Sequence, residues 1–317
     1  MKPAKPRYRT TNWSTYNRSL QARGDLMIWF SPDLAWHSNE RPDQAGAPTR
    51  YSDQAIQIML TLKVLFQQGL RQVRGLTCSL VRMMNLDWAV PCFSTVSRRQ
   101  ATLAVQIPVR RRAEPLHLLV DSTGIKIHGE GEWKVKQHGP AYRRGWRKVH
   151  LAINADTQEI QAVEVTDQRQ ADGLQVEELL SQLPPGTVLG SVEGDGAYDS
   201  RRVYRAVQAW RAEWLVPPRR DAQPWREQTD WAAHRNDKLA AIKRVGRAIW
   251  KRWSGYPRRS LVETAMHRFK RLGERLPARH PERQVAEIHV CCAILNRFVL
   301  LAYPPRWLTP EFRPGKR

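Results

Sequence analysis

From residue 114 onward, apolar segments follow one another in an order that few folds can accommodate. Residues 118–127, 149–154 and 160–165 alternate apolar and polar side chains, which predicts an antiparallel three-stranded meander. The segments that follow are predicted as helix, strand, helix and strand, over residues 172–183, 188–192, 199–210 and 214–216. This order predicts an α/β fold with a mixed sheet.

The segment before the meander has helical rather than strand periodicity. Helices are predicted over residues 51–68, where Ser52 is the N-cap, and over 70–84, followed by a short helix after Pro91. The third helix carries Arg98 and Arg99, so the three together are typical of a helix-turn-helix that binds DNA. An accessory helical bundle is the alternative.

These patterns divide the chain into four parts. Residues 1–50 are polar and broken by prolines, which predicts an N-terminal arm. The helical region spans residues 51–113, the α/β domain spans 114–303, and a tail covers 304–317. The last predicted helix, about 282–302, closes the α/β domain.

The charge of the chain indicates its partner. Fifty-two Lys and Arg against thirty Asp and Glu give a net charge of +22 and a pI near 10.6. Nucleic acid is the expected partner of such a chain, although a ribosome-associated protein or a merely basic surface fits as well. The four cysteines lack zinc-ligand spacing, and the N-terminus lacks a signal-peptide core. Polar residues interrupt the apolar stretch 285–301, so we expect a cytoplasmic protein without a membrane span.

Two aspartates are predicted at the ends of central strands. Asp121 follows Leu118–Val120, and Asp195 follows the strand over 188–192. Because ligand sites gather at the carboxyl ends of strands in α/β sheets, we expect these carboxylates to lie close together. Two adjacent carboxylates repel each other unless a cation lies between them, and Mg²⁺ or Mn²⁺ is the natural choice. Glu193 is a weaker candidate for the same site.

A third acid lies on a predicted helix that begins near residue 258. Tyr256, Arg259, Glu263 and Lys270 are spaced by three, four and seven residues. This spacing places Arg259, Glu263 and Lys270 along one helix face. Tyr256 lies at the helix entry, just before Pro257. An acid for a metal, two cations for phosphate and an aromatic ring on one face suit two-metal phosphoryl transfer.

This spacing matches the Y-R-E-K signature of bacterial insertion-sequence transposases with a DDE active site. Four further stretches resemble the insertion-sequence family five members of that group: residues 121–124, 129–133, 145–148 and 195–199. The resemblance runs from about residue 45 to residue 302. It implies a ribonuclease H-like fold, Mg²⁺ as cofactor with Mn²⁺ as a substitute, and metal-binding catalytic roles for Asp121, Asp195 and Glu263.

The resemblance also implies a reaction and its partners. The protein is expected to bind the terminal inverted repeats of its own mobile element, to cleave DNA strands and to join them to target DNA, at least as a homodimer. A nuclease that does not join strands and a non-catalytic DNA-binding regulator are the alternatives. Residues 196–262 lack obvious strand alternation over much of their length, so no large β-rich insertion is expected between the second and third acids.

Several basic residues are predicted to contact DNA besides Arg98 and Arg99. On the helix face these are Arg259 and Lys270, together with Tyr256. Residues 133–148 interleave basic and aromatic side chains and end in Arg147 and Lys148, a composition that suits DNA contact, although a solvated hairpin is the alternative.

Overall fold

The computed structural model describes residues 13–30, 34–38, 50–110, 113–127 and 145–302. Its helices are α1 (Trp13–Arg23), α2 (Asp53–Phe66), α3 (Leu70–Met83), α4 (Phe93–Arg99), α5 (Val176–Ser181), α6 (Arg201–Ala209), α7 (Asp230–Val245), α8 (Arg247–Trp253), α9 (Ser260–Leu272) and α10 (Pro281–Ala302). Its strands are β1 (Leu116–Ile127), β2 (Trp146–Asn154), β3 (Ile160–Asp167), β4 (Leu189–Glu193), β5 (Glu213–Leu215) and β6 (Arg275–Leu276).

The strands form one mixed sheet with β1 at its centre. The strand order is β3-β2-β1-β4-β5, and β6 also pairs with β1. β1, β2 and β3 are antiparallel neighbours, whereas β4 runs parallel to β1 and β5 parallel to β4. The predicted meander, the mixed sheet and the central position of β1 are therefore confirmed.

The prediction that the first strand ends at Asp121 is wrong, because β1 continues to Ile127. β2 pairs with β1 from residue 118 to residue 126 and holds it extended over that length. On the other edge, β4 pairs with residues 116–119 and β6 with residues 126–127. No strand in the described part of the chain pairs with the stretch between them, so Asp121 lies beside a gap in the sheet.

Alternate side chains of β1 contribute to two separate apolar cores. Leu118 and Val120 belong to the core that α5 and α6 cover. Leu119 and Ile125 belong to the core on the opposite face, which α9 and α10 cover. Because successive side chains of a strand point to opposite faces, Asp121 shares the face of Leu119 and Ile125. The sheet therefore directs Asp121 toward α9.

The three helices predicted in the N-terminal half are present as α2, α3 and α4. Ser52 caps α2 as expected, since its Oγ accepts a hydrogen bond from the Ala55 N–H at 3.1 Å. The helices bury a third apolar core, which Val290 and Ile294 of α10 complete. The helical region therefore packs directly on the last helix of the α/β domain.

Part of the predicted arm is ordered against the same helix. Residues 13–23 form α1, which contacts α10, although no regular element was expected there. Arg297 of α10 donates a hydrogen bond to the Ile28 carbonyl, and Trp36 is buried beside the helical core. Proline positions alone did not indicate these contacts, since they depend on a partner helix far along the chain.

Helix α10 joins the two halves of the protein. It is long and apolar enough to cross a membrane, yet 67% of its apolar window is buried inside the protein, as in a core helix. One face carries Ile288 and Cys292 toward the sheet, and the other carries Val290 and Ile294 toward α2 and its neighbours. The helix is thus the element that both cores share.

Asn296 fixes α10 to the edge of the sheet. Its fully buried side chain accepts a hydrogen bond from the Ile160 N–H at 2.8 Å and donates to the carbonyls of Ile160 and Pro108 at 2.8 and 2.9 Å. These bonds satisfy the buried backbone groups of Ile160 in β3 and the partly buried Pro108 carbonyl of the linker before β1.

We expect Asn296→Leu to lower the free energy of unfolding by about 2–4 kcal/mol, because it leaves buried backbone groups without partners. Urea denaturation of the variant and the wild type measures the difference. Gln208→Leu makes a similar exchange at an exposed position of α6 and serves as the control. Equal losses in the two variants would contradict the role given to Asn296.

Candidate active site

Asp121 is a partly buried carboxylate on the middle of β1. Its side chain is 17% exposed. Oδ1 accepts a hydrogen bond from the Ser122 N–H at 2.9 Å, and Oδ2 accepts one from Nη2 of Arg259 at 2.8 Å. Burial raises the pKa of Asp121 and the charge of Asp195 adds to the rise, whereas the Ser122 N–H and Arg259 oppose it. The Ser122 N–H and the Arg259 guanidinium therefore favour the charged form of Asp121, whereas its burial disfavours that form.

Asp195 lies two residues beyond the end of β4. It caps a short 3₁₀ turn, Gly196–Tyr198, with Oδ1 accepting a hydrogen bond from the Ala197 N–H at 2.8 Å. β4 is the parallel neighbour of β1 and ends beside Leu119, so Asp195 reaches the gap next to Asp121. The sheet brings the two predicted aspartates toward each other, and the charge of Asp195 contributes to the raised pKa of Asp121.

Glu263 comes to the site from the opposite side, on the first turn of α9. Its Oε1 accepts a hydrogen bond from Nη1 of Arg259 at 3.0 Å. Arg259 ends the 3₁₀ turn Tyr256–Arg259 that leads into α9, so α9 begins slightly later than residue 258. The Arg259 guanidinium therefore binds Asp121 and Glu263 at once and links the acid on the helix to the acid on the strand.

The other two residues of the helix-face motif differ in their surroundings. Tyr256 is buried, and burial raises the pKa of its hydroxyl, with further increases from Asp195 and Asp121 and a decrease from Arg259. Its ring thus lies close to both carboxylates. Lys270 is exposed two helical turns beyond Glu263, roughly 10 Å further along the axis.

The donor set suits a hard divalent cation, because carboxylate oxygens are the ligands that Mg²⁺ and Mn²⁺ prefer. Asp121 and Glu263 each already direct a carboxylate oxygen at the same positive group, the guanidinium of Arg259. Among the described residues, no three Asp, Glu, His or Cys side chains enclose a metal position as they stand. Arg259 occupies the space between Asp121 and Glu263, so the fit requires its side chain to move.

A polar cluster on the other face of β1 was missed by the sequence analysis. Ser122 Oγ donates a hydrogen bond to Oδ1 of Asp172 at 2.7 Å, and Nζ of Lys148 lies 3.0 Å from the same oxygen. His150, paired with Ser122 across β1 and β2, has Nδ1 at 3.6 Å from Asp172. The helix predicted from residue 172 begins instead as a short 3₁₀ turn, Asp172–Leu174, whose N-cap is Ala171.

Three other acids near the site have structural partners or are buried. Asp199 forms a buried ion pair with Arg235 at 2.9 and 3.0 Å, and the N-cap of α6 is Ser200. Asp156 pairs with Arg258 at 2.8 Å. Burial raises the pKa of Glu193 to about 7, with Arg258 opposing the rise. The role of Glu193 as a metal ligand stays a prediction.

The basic residues predicted to contact DNA are in varied environments. Arg99 forms an ion pair with Asp53 and donates to the Tyr51 carbonyl, whereas Arg98 is exposed. Arg147 donates to Gln284 at 2.8 Å, and Lys148 is bonded to Asp172 and the Gln170 carbonyl. Most of the basic-aromatic stretch, residues 133–144, and the motif at 129–133 lie outside the described residues. DNA contact by Arg147 and Lys148 stays a prediction.

The segment between the second and third acids is helical. It contains α7 and α8, which agrees with the absence of strand alternation in its sequence. Trp250 of α8 is buried beside the Tyr256 ring, with 6.2 Å between ring centroids, whereas Trp253 is 73% exposed. No large β-rich insertion occurs in this part of the chain, all of which is described.

Comparison with known proteins gives a consistent assignment. Two family models, both described as "Transposase DDE domain", match residues 21–130 and 112–297. Among solved structures, the chain is similar to the Mos1 transposase paired-end complex with left transposon end, at 12% identity over 74% of this chain and 75% of that chain, with a TM-score of 0.22. It is also similar to the Mos1 mariner paired end complex with Mn, at 11% identity over 68% and 70%, with a TM-score of 0.19.

The buried His150 predicts a pH dependence of stability. Burial lowers the pKa of His150 to about 4, with Asp172 opposing the shift. The folded protein therefore keeps the ring neutral at pH values where the unfolded chain is protonated, so stability is lost as the pH falls from about 6.5 to 4. We expect His150→Gln to reduce this loss by at most about 1.4 kcal/mol per pH unit. Urea unfolding at pH 7, 6 and 5 measures it, and parallel curves for the two proteins would refute the prediction.

Proposed function

The chain belongs to the family of transposases with a DDE domain, and we propose that it binds the terminal inverted repeats of its own mobile element, cleaves DNA strands there and joins them to target DNA. The observation that carries this proposal is the meeting of Asp121 and Glu263 at the guanidinium of Arg259, with Asp195 beside them. Acids from a strand, a loop and a distant helix that converge in this way have no evident structural task.

Asp121, Asp195 and Glu263 are the proposed ligands of a divalent cation, Mg²⁺ with Mn²⁺ as a substitute. When bound, such a cation activates the attacking oxygen and stabilises the leaving oxygen of a phosphoryl transfer. Asp121 and Asp195 are held in place by hydrogen bonds from the Ser122 and Ala197 N–H groups. Their geometry is thus set by the backbone rather than by long side chains.

The remaining residues of the helix-face motif are proposed to bind DNA. Lys270 is exposed and Arg259 lies beside the carboxylates, so together they supply positive charge for phosphates that approach the acids. Tyr256 is placed to stack on or position the DNA end. Strand cleavage by water and attack by the freed 3′-hydroxyl need no covalent link to the protein.

We assign the α/β domain to the ribonuclease H-like fold that the sequence resemblance implies. The support is its sheet, with an antiparallel meander, three further parallel strands and a central β1 that carries the first acid. Asp121 lies within β1, and Asp195 follows the end of β4, its parallel neighbour. This arrangement supports a ligand site near the carboxyl end of β4.

The helical region is proposed to hold DNA next to the catalytic domain. Arg98 of α4 is exposed, and α3 presents Arg71, Arg74 and Arg82 along one side, at helical spacing. Arg74 and Arg82 line a cavity of about 460 Å³ that also contains Trp88. Arg99 is assigned a structural role instead, since its charge is already paired with Asp53.

Two ends must be brought together for transposition, so we propose at least a homodimer on DNA. The net charge of +22 supports DNA as the partner of this assembly. We propose a cytoplasmic location without a membrane partner, because the single candidate span among the described helices is a core helix.

The central test uses a labelled terminal inverted-repeat duplex, a target plasmid and Mg²⁺. We expect the wild type to give nicked ends and joined products, and Asp121→Asn and Glu263→Gln to give neither while still binding the duplex, because both changes remove a metal-binding charge. A gel assay for products and a binding assay measure this. Cutting without joining would favour a nuclease, binding without either reaction would favour a regulator, and an active Asp121→Asn enzyme would refute the assignment of the triad.

A second test concerns the helical region. We expect Arg98→Glu to weaken binding to any duplex and to reduce the slope of log K against log salt by about one, because one phosphate contact is lost. Fluorescence anisotropy at several salt concentrations measures both quantities. Arg205→Glu makes the same change on an exposed face of α6 and should have a smaller effect. Identical salt slopes for the two variants would place DNA elsewhere.

A further inference from the structure

The guanidinium of Arg259 is the most confined charged group at the proposed active site. Its Nη2 binds Asp121 and its Nη1 binds Glu263, at 2.8 and 3.0 Å. The side chain is 18% exposed, and its Nε is buried without a hydrogen-bond partner in the described structure. Arg259 is therefore partly desolvated. Both of its Nη groups are held by carboxylates, whereas its Nε is not.

These contacts use oxygens that a divalent cation would need. Oδ1 of Asp121 accepts a hydrogen bond from the Ser122 N–H, which leaves Oδ2 as the oxygen for a cation. Oδ2 accepts a hydrogen bond from Arg259. Arginine keeps its charge at any accessible pH, so it cannot leave the carboxylates by losing a proton. A metal ion and the guanidinium therefore exclude each other from the position between Asp121 and Glu263.

The short turn that carries Arg259 has a second anchor. Arg258, the preceding residue, pairs with Asp156 in the turn between β2 and β3 at 2.8 Å. This pair holds the 3₁₀ turn on the sheet independently of Arg259. The Arg259 side chain can consequently swing away from the carboxylates while the backbone of the turn stays in place.

We infer that Arg259 is an exchangeable counter-cation of the active site. In the metal-free protein it neutralises Asp121 and Glu263, and on binding of a divalent cation it leaves them and binds a phosphate of the DNA end. The inference rests on the proposed function. Arg259 is thus a positioning residue with two alternative partners, the carboxylates and a DNA phosphate. Because Glu263 is exposed, the guanidinium has only a short distance to move from the carboxylates to the phosphate.

The exchange couples the metal to DNA. Because the guanidinium becomes available for phosphate only when a metal replaces it, each ligand raises the affinity for the other by the same factor. A coupling of roughly 5- to 50-fold is ordinary for two such sites. Removing the guanidinium abolishes the coupling and leaves the carboxylates open to the metal.

Metal binding without catalysis tests the exchange. Mn²⁺ titrations at pH 8, read by electron paramagnetic resonance on full-length protein without DNA, compare wild type, Arg259→Gln and the control Arg205→Gln, which makes the same change at an exposed position of α6. We expect Arg259→Gln to bind Mn²⁺ roughly fivefold tighter or more. We expect Arg205→Gln to bind as the wild type does. Arg259→Lys, which keeps one cation but cannot bridge two carboxylates, should lie between them if Arg259→Gln does not fold.

The second measurement is the affinity for an inverted-repeat duplex, determined with and without Ca²⁺ at constant ionic strength. It is made for the wild type, Arg259→Lys and Arg259→Gln. We expect the metal to increase wild-type affinity by more than fivefold and Arg259→Gln affinity hardly at all. Mn²⁺ binding that is lost in Asp121→Asn but unchanged or weakened in Arg259→Gln would overturn the exchange and spare the proposed function. Mn²⁺ binding that is absent or unaffected by Asp121→Asn would overturn both.

Discussion

The pairing of β1 with three other strands is the constraint on which the rest of the structure depends. β2 covers one edge along most of its length, while β4 and β6 cover only the two ends of the other edge. The sheet is therefore continuous enough to support two apolar cores, and the gap in its other edge lies at Asp121. The Asp121 side chain projects from the face of the sheet toward α9, where the Arg259 guanidinium compensates part of its burial.

The second determinant is α10, which lies between the sheet and the N-terminal helices. Its two apolar faces complete one core on each side, and Asn296 ties it to β3 and to the linker before β1. The ion pair between Lys63 of α2 and Glu287 of α10 adds a buried link between the two halves. As a result, the surface carrying Arg98 and the site carrying Asp121 are held by a common packed helix rather than by a linker.

The charge of the proposed active site is opposite in sign to the net charge of the protein. The protein as a whole carries a charge of +22, yet its proposed active site collects three acids on or beside one strand. In such a field the carboxylates are stabilised by nearby cations, and Arg259 is the one in contact with two of them. The Arg259 guanidinium therefore offsets the charge of two of the three acids at the site.

The sequence by itself determined the α/β class, the antiparallel meander, the helices α2, α3 and α4, and the set of three acids with Tyr256, Arg259 and Lys270. It did so because periodicity, capping and the three- and four-residue spacing of a helix face are local properties of the chain. The tertiary structure alone decided that β1 continues past Asp121, that Asp172 joins Ser122, Lys148 and His150, and that Arg99 is paired while Arg98 is free to face solvent. It also decided that one guanidinium bridges Asp121 and Glu263. These outcomes depend on contacts between residues far apart in the sequence, whose geometry no local pattern contains.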